Sequence, residues 1–299
     1  MSQQIETTFV KQYNATIERL LQQRGSRFLG TVRKESQNSE EQFWDQVGAV
    51  EAAEVVDRHG KSPQVDTPHT RRRCTMRPFD VGDFLDTFDK VQMLIDPTST
   101  YVTNFVDALQ RKRDDVIIEA FFATAYTGKA GTVQVAYDTS NTVGEDFGAA
   151  NSGMTIAKLV KVREILMAYE NEPGMEPWYI ALAAKQYSDL LGTTQVTSVD
   201  YNTVRALVRG EIDTFLGFMF KHSERLSSHT GGDGNDVVRE CPVWVKSGLL
   251  HVAGKEITTR VSERADARYS WYAYACAMFG ATRMQEKKVA QIEAVEAVA

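Results

Sequence analysis

One block in the first half of the chain constrains its fold more than any other. Asp96-Pro97-Thr98-Ser99 supplies turn and capping chemistry, and Phe105, Leu109, Val116, Ile117, Phe121 and Ala125 follow at helical spacing until Gly128. A helix of roughly 25 residues is about 37 Å long, enough to span a whole domain. Its middle is charged, Arg111-Lys112-Arg113-Asp114-Asp115, whereas Ile117-Ile118 and Ala120-Phe121-Phe122-Ala123 make its end almost wholly apolar. The pattern predicts a helix buried on most sides at its end and along a single stripe elsewhere.

Around this helix the periodicity keeps changing. Phe9, Tyr13, Ile17, Leu20 and Leu21 recur at helical intervals on a polar arm, before Arg24-Gly25-Ser26 interrupts them. From Glu41 to Arg77 the runs are short, Phe43 to Val47 and Cys74 to Met76, separated by Gly60, Pro63 and Pro68; this predicts a long two-stranded excursion with a polar tip. Strand-like passages follow at Thr132 to Tyr137 and Gly144 to Gly153. Thr155 then caps a helix carrying Ile156, Leu159, Val160 and Leu166 on one face. Trp178 to Leu182 is expected as a buried strand, Gln186 to Leu191 and Tyr201 to Val208 as helices, and Phe215 to Phe220 and Glu256 to Val261 as strands. An aromatic run, Tyr269 to Tyr274, and a terminal stretch from Lys287 to Val298 complete the chain. Helices and strands mix without regular βαβ alternation, so the expected class is α+β.

Most catalytic signatures are missing. Gly248 to Gly254-Lys255 has one residue too many for a phosphate-binding loop, and Glu256 stands where a hydroxyl would hold magnesium. His59, His69, His222, His229 and His251 lack zinc-binding spacing, and Cys74, Cys241 and Cys276 are too far apart to form a motif. Asp114 and Asp115 point about 100° apart on a helix, so they do not converge on a substrate; Arg111 and Lys112 are their expected partners. Gly231 to Asp236 matches one copy of a calcium-binding turn, including Asp233 and Asp236, but such turns work in stacks, and a surface loop is the expectation. A formal net charge of -6 over 299 residues disfavours a protein that grips phosphate backbones. The amino terminus lacks a secretion pattern and no segment is apolar enough to span a bilayer, so a cytosolic site of synthesis and no membrane partner are expected. No cofactor and no metal are expected.

Arg71, Arg72 and Arg73, with Arg77 and Arg58 nearby, form the sharpest basic cluster in this acidic chain. They form either a solvated charge run or, alternating along a strand, a face that meets carboxylates of a neighbouring subunit. Asp80, Asp83, Asp86 and Asp89 offer an acidic tract of matching size.

Several segments resemble a known family. Asp66-Thr67-Pro68-His69-Thr70-Arg71-Arg72-Arg73, Asp89 to Ser99, Asp114 to Ile118, Thr124 to Gly128, Asp200-Tyr201-Asn202 and Gly280-Ala281-Thr282-Arg283 occur in the order found in tailed-bacteriophage major capsid proteins. The resemblance implies the Hong Kong 97 phage-like capsid fold. It implies an N-arm over 1–40, an E-loop hairpin over 41–82 and a peripheral domain over 83–177 with a spine helix at about 100–127. An axial domain over 178–262 and a return to the peripheral domain over 263–299 would follow. It further implies pentamers and hexamers of this chain in an icosahedral shell around double-stranded DNA. Arg71, Arg72, Arg73, Arg77, Asp80, Asp83 and Asp86 would then be contacts between subunits. Portal, scaffolding and decoration proteins are further partners within the family. The chain is too short for a scaffolding extension ahead of the arm, and Lys61 is expected to be solvated rather than cross-linked. An encapsulin-like compartment shell and a soluble metal-assisted enzyme are the alternatives.

Overall fold

The computed structural model describes residues 20–52, 54, 64–85, 98–192, 214–231 and 236–297. The expected helix at Tyr201 to Val208, the arm helix except Leu20 and Leu21, Lys61, Asp86 and most of the Gly231 to Asp236 loop lie outside the described residues. In chain order the elements are β1 (Arg33–Ser36), β2 (Glu41–Val47), β3 (His69–Thr75), β4 (Arg77–Leu85), α1 (Thr98–Phe122), β5 (Ala125–Thr127), β6 (Val133–Val135) and β7 (Thr142–Val143). Then come α2 (Ile156–Ala168), β8 (Trp178–Leu182), α3 (Ala184–Gly192), β9 (Thr214–Phe215), β10 (Phe218–His222), β11 (Ser228–Thr230), β12 (Val237–Val245), β13 (Leu249–Arg264), β14 (Ser270–Arg283) and β15 (Val289–Ala297). The class is α+β, as expected.

The chain forms two compact units. One gathers the described parts of Met1–Gly25, Pro78–Arg111 and Lys255–Ala277; the other holds those of Ser26–Arg77, Lys112–Gly254 and Met278–Ala299. The second, larger unit contains a sheet in the order β7-β15-β12-β8-β10-β9, with β11 beside β12. At its centre β8 runs parallel to β10 and antiparallel to β12, so Ile180 stands between Phe220 and Val243. Every residue of β8 is buried, which is why its sequence is a continuous apolar run rather than an alternation. Trp244 is the hub of this core. Its ring lies 4.7 Å from Phe121, 5.7 Å from Tyr179 and 6.0 Å from Phe28, and its Nε1 donates to the Thr31 carbonyl at 3.0 Å. Trp44 and Trp178 are also buried in this unit, whereas Trp271 belongs to the smaller one.

Helix α1 follows the predicted division. Phe105 and Leu109 are buried on one stripe early on, with Asp107 buried on the other side, while Val116, Ile117, Ile118, Ala120 and Phe121 are all buried near the end. It stops at Phe122, short of the expected Thr127, because Ala125 to Thr127 leaves to pair with Val133 to Val135. Gly128 and Gly131 allow that reversal with φ of 89° and 65°. Thr155 caps α2 by accepting from the Lys158 N–H, and Leu159 and Leu166 are buried as expected. Val160 is not: it is 49% exposed, one residue and about 100° away from Leu159. The stretch from Gly144 to Gly153 is turns rather than strand, with Asn151 at φ 47°. Phe215 to Phe220 is two strands, because Leu216 and Gly217 both take positive φ and turn β9 into β10.

The first turn of α2 carries a buried lysine with no local sequence signal. Lys158 is fully buried, and its Nζ donates to the carbonyls of Glu145, Ser152 and Glu293 at 3.0, 2.8 and 2.8 Å. It thereby ties the 144–153 turns to β15. Burial is the main reason its pKa falls to about 8, against opposing pulls from nearby acidic groups.

Candidate functional site

The arginine cluster sits on β3, in a sheet of order β2-β3-β5-β6. The register with β2 places Phe43 opposite Arg73, Trp44 opposite Arg72 and Asp45 opposite Arg71. Because strand side chains alternate, Arg71 and Arg73 share one face and Arg72 takes the other. On the first face Arg71 pairs with Asp45 at 2.9 Å and lies over the Phe43 ring at 5.6 Å. Arg73 pairs with Glu41 at 3.0 Å and covers the Tyr126 ring at 4.7 Å. Arg77 pairs with Glu119 at 2.7 Å on an exposed surface.

Arg72 is built differently. It is 8% exposed, its Nε donates to the Met284 carbonyl at 3.0 Å, and its Nη2 donates to Glu286 Oε1 at 3.0 Å. The other oxygen of Glu286 accepts from Arg283 Nε, so one carboxylate joins two guanidinium groups. Arg283 is 1% exposed and donates from Nη1 to the Phe121 and Ala123 carbonyls at 2.6 and 2.9 Å. Those carbonyls belong to the end of α1, where helical acceptors lack intrahelical partners, so Arg283 caps the long helix with charge of the favourable sign. Burial draws the Arg72 pKa down, Glu286 opposes that, and Arg283 adds to the lowering. The chain β3, Glu286, Arg283, α1 therefore anchors the root of the two-stranded excursion to the helix.

The charged middle of α1 is also used, by partners distant in sequence. Asp115 is held by Arg225, whose Nε and Nη2 each donate at 2.6 Å. Asp114 is fully buried, accepts from Ser26 Oγ, and accepts from the backbone N–H groups of Arg27 at 2.9 Å and Phe28 at 3.3 Å. Arg111 instead donates to Gln22 Oε1 at 2.8 Å and the Gln23 carbonyl at 3.1 Å. These contacts fasten the segment before β1 to the helix.

Asp80 and Asp83, on β4, are exposed, and the arginines take Asp45, Glu41, Glu286 and Glu119 as partners within the subunit. Asp45 stands directly opposite Arg71, and Glu41 is the diagonal neighbour of Arg73, two residues from its cross-strand partner Phe43. Among the described residues, no group of three or more His, Cys, Asp or Glu side chains is placed to hold a metal ion, and no helix is long and apolar enough to cross a membrane.

What this arrangement offers chemically is anchoring of extended strands. A family profile described as phage capsid protein matches residues 5–296. The chain belongs to the phage capsid protein family. The capsid of Ralstonia phage GP4 superposes on this capsid protein with a TM-score of 0.75 at 9% identity, covering 97% of this chain and 96% of that one. The capsid of Helicobacter pylori bacteriophage KHP30 does so at 0.74 and 11% identity over 99% and 98%, and that of cyanophage P-SCSP1u at 0.71 and 15% over 98% and 95%. No curated protein matches the sequence. Fold and family together make this a tailed-phage major capsid protein with the Hong Kong 97 phage-like fold.

Proposed function

We propose that this capsid protein assembles with copies of itself, as pentamers and hexamers, into the icosahedral shell that encloses the double-stranded DNA of a tailed phage. Support comes above all from the family match over residues 5–296, on a fold that phage capsids share across nearly their whole length. The work is mechanical rather than catalytic: extended elements are anchored at one end and offer their remaining surface to neighbours. In this reading 1–40 is the N-arm, 41–82 the E-loop, 83–177 the peripheral domain and 178–262 the axial domain; 263–299 returns to the peripheral domain except for β15, which stays in the sheet of β12 and β8. Exposed Arg77, Asp80 and Asp83, and the face of β3 bearing Arg71 and Arg73, contact neighbouring subunits; Asp86 belongs with them by sequence. Arg72 supports those contacts from inside the subunit. The net charge of -6 limits adhesion to packaged DNA. Assembly takes place in the host cytoplasm, with portal, scaffolding and decoration proteins as partners. Neither an encapsulin-like compartment nor a metal-assisted enzyme gains support from the comparisons.

Electron microscopy of the purified chain tests this directly. Closed shells or ring-shaped capsomers are expected. A protein that stays monomeric at high concentration, with and without co-expressed phage head proteins, would sink the proposal.

A further inference from the structure

β13 is treated unequally by its own sheet, whose order is β1-β13-β14-β4. On its outer side β1 covers only Leu250 to Ala253. Beyond that point, among the described residues, no strand lies on the outer edge from Lys255 to Arg264, about 33 Å of backbone at about 3.3 Å per residue. Thr258 to Arg264 are all exposed. An edge of this length presents a row of backbone donors and acceptors that templates another strand, and proteins usually blunt such an edge with proline, a bulge or charged side chains; here the charges, Lys255, Glu256, Arg260, Glu263 and Arg264, are of both signs. Here there is no proline, and Ile257, Thr258, Thr259 and Val261 favour strand.

We propose that this edge pairs with the same edge of a second copy of the chain, antiparallel, about a two-fold axis at Thr259. The inference rests on the shell reading and names one of its contacts. The sequence Lys255-Glu256-Ile257-Thr258-Thr259-Arg260-Val261-Ser262-Glu263 is self-complementary in that register. Lys255 stands opposite Glu263 and Ile257 opposite Val261, each match occurring twice by symmetry, and Thr259 meets itself once on the axis. A slip of one residue in one direction sets Lys255 against Arg264 and Glu256 against Glu263. A slip in the other direction sets Ile257 against Arg260 and Glu256 against Val261. Only the proposed register matches both charge and apolar character. Arg264 is kept out of the pairing within its own subunit, where Asp266 holds it at 2.9 Å through two hydrogen bonds and the Tyr272 ring lies 5.7 Å away. Lys255 rests 3.1 Å from Cys276 Sγ in the subunit, and pairing would offer it a carboxylate instead.

Residues directly opposite one another in an antiparallel ladder have Cα atoms about 4.5–5.5 Å apart, within the range a disulfide bridges. The test therefore uses full-length Thr259→Cys in a Cys276→Ser background, assembled and then mildly oxidised. Most of the chain should migrate at twice its mass without reductant, whereas Val261→Cys should stay monomeric, since its counterpart is Ile257. Val261→Lys should lower particle yield roughly tenfold while the unfolding midpoint of the subunit stays unchanged. Particles that form normally yet give no Thr259→Cys dimer would overturn the inference, as would equal cross-linking at 259 and 261. If the unsubstituted chain forms no particles, the shell reading falls. The same oxidation of concentrated Thr259→Cys subunits then decides the edge separately, dimers supporting it and monomers refuting it.

Discussion

The two halves of β13 obey opposite rules. Leu250 and Val252 are fully buried, and their stretch has β1 on one side and β14 on the other. Thr258 to Arg264, on the same continuous strand, are exposed and have a single neighbouring strand among the described residues. On β3 the division runs between faces instead: Arg72 is buried, whereas Arg71 and Arg73 on the other face are partly exposed. The lesson is that this fold completes its polar and apolar requirements inside the subunit at the roots of its extended elements and leaves them open toward the ends. Stability and assembly should therefore respond to different substitutions.

The sharpest way to break that division is at a root. Arg283→Met removes the cap of α1 and leaves Glu286 with one guanidinium in a largely buried setting, so a loss of about 3–5 kcal/mol is expected in urea unfolding. A loss near zero would mean that the network does not anchor the helix. Leu250→Ala should cost about 2–5 kcal/mol, whereas Val261→Ala on the open half should stay within about 0.5 kcal/mol. Equal costs would erase the comparison.

Lys158 sharpens it through pH. Its folded pKa of about 8 lies below the ordinary value of 10.5, so between those values the unfolded chain binds more protons and stability rises with pH. Measured against Lys158→Met, the urea midpoint of the unsubstituted chain should climb over that window and be flat below it. Parallel curves for the two proteins would count against the buried ammonium. The smallest effect on stability is expected from Arg71→Glu with Arg73→Glu. Their pairs lie at the surface, so unfolding should move by about 1 kcal/mol or less while particle yield drops. Normal yield would remove this face from the assembly surface.

Elements with a strong local signal were legible in the sequence. The capped start of α2 at Thr155, the apolar run of β8 and the divided burial of α1 all follow from spacing and residue type. What stayed hidden depends on partners distant in sequence. Nothing local says that Arg283 caps a helix ending 161 residues earlier at Phe122, or that Lys158 finds three carbonyls. Ala125 to Thr127 has helical spacing with the residues before it, yet the ladder to Arg72 and Arg73 wins them as strand. At β3 the cluster itself stood out, but its division into one buried and two outward arginines required the register with Trp44.

The placement of the four tryptophans has an optical consequence. Trp44, Trp178 and Trp244 are buried in the larger unit, and Trp271 is the one in the smaller. A chain keeping only Trp271 would report by its emission on the smaller unit alone, and one lacking only Trp271 would report on the larger. Intrinsic fluorescence thus becomes a two-channel clock for asking which unit responds first when subunits lock into a shell.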